Sequence, residues 1–471
     1  MFIEIIIPHI LSLGKNSHYL EILINIMIIK NMKYRLFFAA LIVATFFTQA
    51  ANALVSIDIT RGNVDPLPVA LPYLVGGNES ENDLGKAIMD VVEKDLESSG
   101  LFKSISKQAF IQQISSKDTM PSFPDWRQIS AAALVTGGIT TSGADEFRTE
   151  FRVWDVYSQQ QIAGKSFTTN NKNWRRVGHL IADEVYKRIT GENGYFDSRI
   201  VYVSESGPAI KRIKRLSIMD QDGENHRFLT DGGDLVLTPR FSPAANEVIY
   251  MSYISGIPKV YIRNVDTGKT QVVGNFPGMS FAPRFSPDGK SIVMSVESGG
   301  DSSIYTMNLA SGEKKRLTNS QGVIDTSPSF SPDGSQIVFN SDRGGSQQLY
   351  TMNSDGSGVK RISFSDRGRY GTPVWSPRGD WIAFTKMHSN KFYIGVMRAD
   401  GSGERLLTES FLDEGPTWAP NGRIIMYARQ SPSSGNKQGA WSIHSIDLTG
   451  YNQRKVKTPM EASDPAWSGL M

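Results

Sequence analysis

Apolar residues follow two different rhythms along this chain, and the change between them divides it. Val69 to Leu74 reads as an apolar strand, and Leu84, Ile88, Val91, Val92 and Leu96 recur at helical spacing. That stripe predicts a helix beginning at the capping residue Asn82 or Asp83 and ending at Gly100. Ala132–Val135, Phe147–Tyr157 and Ile162–Phe167 read as strands, and Val177, Leu180, Ile181, Val185 and Ile189 share one face of a second helix that stops at Gly191. The region 54–194 is therefore expected to be an α/β domain, with Gly194-Tyr-Phe-Asp-Ser198 as its junction to the C-terminal part of the chain.

Beyond that junction the helical spacing stops and short apolar strands alternate with turn residues. Pro239-Arg-Phe-Ser-Pro243 returns as Pro283-Arg-Phe-Ser-Pro-Asp-Gly289, Pro328-Ser-Phe-Ser-Pro-Asp-Gly334, Pro373-Val-Trp-Ser-Pro-Arg-Gly379, Pro416-Thr-Trp-Ala-Pro-Asn-Gly422 and Pro465-Ala-Trp-Ser468. The leading prolines are 44, 45, 45, 43 and 49 residues apart. A period in the forties with four short strands per repeat is the signature of propeller blades. Third strands at Ser217–Met219, Val260–Ile262, Ile304–Met307, Leu349–Met352, Ile394–Met397 and Ser442–Ile446 count six blades. The blade opening at Arg199 lacks a Pro-x-Phe-Ser strand, and Pro465–Ser468 lacks a blade. The C-terminal strand is thus expected to enter the first blade and close a six-bladed β-propeller over 195–471.

The N-terminus carries an address. Met32-Lys-Tyr-Arg35 is basic, Leu36–Phe47 is apolar but too short to span a bilayer, and Ala51-Asn52-Ala53 is a small-x-small site. Residues 32–53 are read as a secretory signal peptide cleaved between Ala53 and Leu54, with no integral membrane segment left in the mature chain. Residues 1–31 do not belong to such a peptide and are read as an extension from a mis-assigned start; a surface anchor over Leu20–Ile29 is the competing reading.

Composition narrows the chemistry. The formal charge is +3, and the first 53 residues carry two of those charges, so no nucleic-acid bias remains. Cysteine is absent, which removes disulfides, thiolate nucleophiles and thiolate metal sites. No Gly-x-Ser-x-Gly elbow occurs, and His179, His226, His388 and His444 sit at unrelated offsets. A propeller-based metal-dependent hydrolase or lyase is the alternative kept in view, but no catalytic residues, metal ligands or cofactor are assigned. Asp220-Gln-Asp-Gly223 reads as a hairpin turn and not a calcium loop, and Lys211–Arg215 as a solvated basic face.

The signal peptide, the strand-like Leu54-Val-Ser-Ile-Asp-Ile59, the small α/β domain, the six repeats around Phe-Ser-Pro-Asp-Gly, Phe411-Leu-Asp-Glu414 and the ending Pro465-Ala-Trp-Ser468 together resemble the TolB family of Gram-negative Tol-Pal systems. The resemblance runs from Met32 to the C-terminus. It departs at Pro243-Ala-Ala-Asn246, which stands in place of Pro-Asp-Gly, and at residues 1–31. It implies a non-enzymatic periplasmic protein, monomeric by itself, that links TolA to the outer-membrane lipoprotein Pal and serves outer-membrane integrity and constriction at cell division; outer-membrane proteins are further partners to consider. By the same resemblance Leu54, Val55, Ser56, Ile57, Asp58, Ile59 and Thr60 would bind the TolA C-terminal domain, and strand addition is the mode their β-forming character suits.

Propeller geometry adds an expectation about Pal. The segment before each repeat proline leads from a blade's outer edge to the channel mouth, so six such segments should ring one face. Met279, Ser280 and Ala282, Asp325 and Thr326, Tyr370 and Gly371, and Asp413 and Glu414 are the expected Pal contacts, with Tyr370 as aromatic anchor.

Overall fold

The computed structural model describes residues 65–471 apart from Ala144, Ser255, Asn275, Pro277, Ser320, 365–367 and 436–437. Its first part is a mixed sheet of β1 (Leu67–Ala70), β2 (Phe102–Ser104), β3 (Ala133–Ser142), β4 (Glu146–Asp155) and β5 (Gln160–Asn170) in the order β2-β1-β3-β4-β5. β1 is parallel to both its neighbours, while β3, β4 and β5 are antiparallel. β1 ends at Ala70, short of the expected Leu74. Pro72 has no N–H to give the ladder, so the chain leaves the sheet there while Leu71 and Leu74 stay buried.

Helix α1 (Glu79–Ser98) starts earlier than Asn82 or Asp83. Its cap is Asn78, whose side chain accepts from the Glu81 N–H at 3.0 Å, and the Asn82 side chain instead accepts from Gly76 N at 2.8 Å. A short helix α2 (Phe123–Gln128), which no stripe announced, buries Phe123 and Trp126 on the other side of the sheet. Helix α3 (Trp174–Thr190) packs beside α1 and ends on Gly191, whose φ of 77° is the left-handed cap that glycine takes without steric cost. The two apolar stripes, with Ile88, Val92 and Leu96 from α1 and Val177, Ile181, Val185 and Ile189 from α3, merge into one core with β1, β3 and β4.

The remainder is six four-stranded antiparallel sheets. Blade 1 takes its innermost strand from the C-terminus: Glu461–Trp467 pairs with Arg199–Ser206, from Glu461 opposite Glu205 to Trp467 opposite Ile200. In blades 2 to 6 the innermost strands are Val236–Phe241, Met279–Phe285, Asp325–Phe330, Arg369–Trp375 and Leu412–Trp418, each containing the repeat proline. The turn after that strand explains why Ser-Pro-Asp-Gly recurs. In blade 3 Ser286 Oγ donates to Asp288 Oδ1 at 2.6 Å, and that oxygen also accepts from Lys290 N at 3.0 Å; Ser331 and Asp333 do the same in blade 4. The aromatic residue before it packs between blades, and Trp418 Nε1 reaches back to the Val374 carbonyl of blade 5 at 3.0 Å.

Because each sheet is antiparallel, one face of the ring carries the turns after the first and third strands, and the other carries the turns after the second strand and the connections between blades. The α/β domain packs on the first of these faces. Arg378, Asn421 and Asn452, all in its turns, meet Glu192 at 2.6 Å, the Asn193 carbonyl at 3.2 Å and the Ser98 carbonyl at 2.9 Å. The junction 195–198 is itself buried. Asp183 accepts from Phe196 N and Asp197 N, and Ser198 Oγ accepts from Trp467 Nε1 at 2.8 Å. Among the described residues, the opposite face is left free of this domain.

Candidate protein-interaction face

The free face is built from the first halves of the innermost strands and the loops feeding them. Each innermost strand is broken in the middle by a left-handed residue just before the repeat proline: Thr238, Ala282, Ser327, Thr372, Gly415 and Asp464 have φ between 45° and 64°. The pairing register shifts at this point in all six blades, as between Phe281 and Arg284.

Within the first half of each strand, burial follows position. Three residues before the proline, the side chain is buried in every blade: Val236, Ser280, Asp325, Tyr370, Asp413 and Ala462. This corrects four of the expected Pal contacts. Tyr370, at 1 % exposure, is no surface anchor; its ring packs 5.3 Å from that of Phe384, and its hydroxyl donates to Glu404 at 2.9 Å. Asp325 accepts two hydrogen bonds from Arg343 at 2.9 and 2.8 Å, and Asp413 is gripped by Arg429 at 2.6 and 2.7 Å and by the Thr408 hydroxyl at 2.7 Å. Ser280 is buried as well. The segments expected as loops are strands, so alternate side chains turn into the blade interface. Met279, Ala282, Thr326, Gly371 and Glu414 retain accessible surface. Burial, and then the neighbouring Asp464 carboxylate, pushes Glu414 up to about 7.

The burial of Asp413 changes what its mutation does. Asp413→Ala lowers stability by about 2 kcal/mol, below the full cost of breaking a buried pair, because Arg429 keeps 23 % of its side chain in water. Urea denaturation checks this. A midpoint equal to wild type would mean the pair does not hold blade 6.

The free face has an apolar component that the repeat pattern did not announce. Ile210, Ile254 and Ile257 stand on its second-strand turns, and Leu235, Ile324, Phe364 and Phe411 on its connections between blades. Phe364 is 70 % and Phe411 52 % exposed. These side chains share one face of the ring but stand on separate turns and connections. The only sequence signal was an apolar residue amid turn composition, the converse of what loops need. The basic run Lys211–Arg215 is absorbed locally: Arg212 pairs with Glu205 at 3.1 Å and with Glu461, and Lys214 with Glu205 at 3.0 Å.

A second cluster lies where α1, α3 and blade 1 meet. His179 Nδ1 is 2.6 Å from Asp95 Oδ2, Gln221 Nε2 donates to Asp95 Oδ1 at 2.8 Å, and Arg175 pairs with Asp222. His179, Asp220 and Asp222 are the group of potential ligands that comes together among the described residues. Arg175 stands in the same cluster, 3.8 Å from Asp220, so the arrangement is that of an ion-pair network between domains. Burial alone would lower the imidazole, but the Asp95 carboxylate overrides it and, with Asp220, holds His179 up at about 10. Asp220-Gln-Asp-Gly223 is a turn, with Gly223 N donating to the Asp220 carbonyl at 3.0 Å.

The signal peptide, its cleavage site at Ala53 and Leu54, and the strand Leu54–Thr60 lie outside the described residues. Among the described residues no helix is long and apolar enough to cross a membrane.

Comparison with known proteins bears on both parts of the chain. A family model described as the TolB amino-terminal domain matches residues 55–162, and one described as the TolB beta propeller domain matches residues 186–471. The Tol-Pal system protein TolB of Paramagnetospirillum magneticum (strain ATCC 700264 / AMB-1) is 64 % identical over 422 residues, covering 89 % of this chain and 94 % of that protein. The crystal structure of TolB from Acinetobacter baumannii superposes with a TM-score of 0.73 at 29 % identity, over 88 % of this chain and all of that one.

Proposed function

The chain belongs to the TolB family of the Tol-Pal system, and from that premise we propose that it is a non-enzymatic periplasmic linker that holds Pal on the free face of its propeller and TolA on the first residues of its mature chain. The observation that carries the Pal half is the division of labour between the two faces. One is occupied by the α/β domain, and the other presents exposed Phe364 and Phe411 beside the accessible Met279, Ala282, Thr326, Gly371 and Glu414. A rigid ring with apolar anchors among polar groups is the make-up of a protein-binding surface. TolA recognition by strand addition through Leu54–Thr60 rests on family membership and on the β-forming character of those residues.

Binding of Pal and of the TolA C-terminal domain to purified variants tests both halves. Phe364→Asp combined with Phe411→Asp weakens Pal binding by about 2 kcal/mol or more, the scale of interface hot spots, with TolA binding and melting temperature unchanged. Asp288→Lys with Asp333→Lys, on the opposite face, leaves Pal binding as it was. Deleting Leu54–Thr60 abolishes TolA binding alone. Loss of Pal binding in the Asp288/Asp333 variant with retention in the Phe364/Phe411 variant would place Pal on the other face.

A further inference from the structure

On the face that carries the α/β domain, the first-strand turns of the blades surround a funnel of about 370 Å³ that opens into the channel. Its wall is apolar and hydroxyl-bearing. Only two of the residues lining it are ionisable, Arg240 and Arg284, and both are cations. They are equivalent positions, each following the repeat proline of its blade, in the adjacent blades 2 and 3; the other four blades place Ser329, Val374, Thr417 and Ala466 there.

Among the described residues no carboxylate forms an ion pair with either guanidinium. Arg240 spends one N–H on the Pro239 carbonyl at 2.6 Å and feels the Asp464 carboxylate, which itself accepts from Thr238 N at 3.3 Å. Among the described residues the Arg284 guanidinium has neither a hydrogen bond nor an ion pair, and the charge acting on it is that of Arg240. Burial, and then Arg240, pushes the Arg284 guanidinium well below the usual arginine range, although it keeps an opening toward the funnel. Withdrawing two like charges from water side by side is costly unless a counter-charge joins them. The surroundings suit one. Guanidinium forks match the geometry of oxyanions, a narrow low-dielectric channel strengthens the attraction, and the Ser329 and Thr417 hydroxyls already accept from Trp375 N and Trp467 N, which leaves their own protons to donate.

We propose that this funnel is a binding site for a small oxyanion, held between the guanidinium forks of Arg240 and Arg284 on the face away from the Pal surface. Phosphate and small carboxylic acids share the required chemistry. Titration calorimetry of the purified protein with inorganic phosphate and with succinate, against chloride at matched ionic strength, separates the two sources. One equivalent of at least one oxyanion binds and chloride does not. Arg284→Gln weakens that binding at least about tenfold, as loss of a charge-assisted hydrogen bond does, and Arg284→Lys, which keeps the charge without the fork, falls between. In anion-free buffer Arg284→Gln melts no lower than wild type, because it removes an uncompensated charge. The proposal fails if neither oxyanion binds at up to about 10 mM, well above a millimolar site, or if Arg284→Gln binds as tightly as wild type.

Discussion

A chain ending at Met460 does not form the closed ring. Glu461–Trp467 supplies the innermost strand of blade 1, and without it Arg199–Ser206 becomes an unpaired edge facing the channel. The same truncation removes Ala462, Ala466 and Trp467 from the core. Trp467 alone carries much of this: its ring meets Tyr195 edge-on at 5.8 Å and its indole N–H caps Ser198, so it joins propeller, junction and α/β domain. Trp467→Ala costs about 3–5 kcal/mol by cavity formation and loss of the buried hydrogen bond, against a total stability of about 5–15 kcal/mol for a typical protein. Near-UV circular dichroism and urea denaturation read both variants. A truncated chain that unfolds cooperatively at the wild-type midpoint would show that the ring does not depend on its terminal strand.

Replacing His179 has a comparable effect through charge. His179→Ala leaves Asp95 buried without its imidazolium and lowers stability by about 3–5 kcal/mol, the cost of breaking a buried pair, since both partners are almost wholly excluded from water. The pH dependence follows from the direction of the shift. The folded protein keeps the proton up to about 10, whereas the unfolded chain releases it near 6.5. The stabilisation is therefore complete below about 6.5 and declines as pH rises toward 10. The stability difference between wild type and His179→Gln shrinks across that window. Parallel profiles from pH 6 to 10 would mean that His179 is neutral when folded. Burial pushes Asp95 up and the imidazolium pulls it down, so its contribution lies with the pair.

The repeat was legible because a propeller writes each blade into the chain once. Ser-Pro-Asp-Gly, or Ser-Pro-Arg-Gly and Ala-Pro-Asn-Gly in its place, closes the same turn in blades 3 to 6, the aromatic before it fills the same gap, and the count of third strands is the count of blades. The helical stripes were legible for a related reason: a helix against a sheet must show its apolar face at 3.6-residue spacing, and both did. Helix α2 escaped because six residues hold too few turns to show a stripe, and the start of α1 was misplaced because four capping residues, Asn78, Ser80, Asn82 and Asp83, stand within one polar run.

Where the site is concerned, sequence and tertiary structure divide differently. The sequence by itself determined six blades, their closure by the chain's end, an α/β domain in front of them, and the segments that gather at one mouth of the channel. Only the tertiary structure decided which side chains in those segments face a partner. A strand turns alternate residues to opposite sides, so a loop and a strand of the same composition expose different sets, and Tyr370 and Asp413 went inward while Phe364 and Phe411 stayed out. It also decided which face is free, because the contacts of Glu192, Asn193 and Asp95 with blades 5, 6 and 1 join residues far apart in the chain. Local pattern records the periodicity of an element's own burial; it holds no record of what lies across an interface, and pairing and occlusion there are set by side chains that meet only in the folded chain.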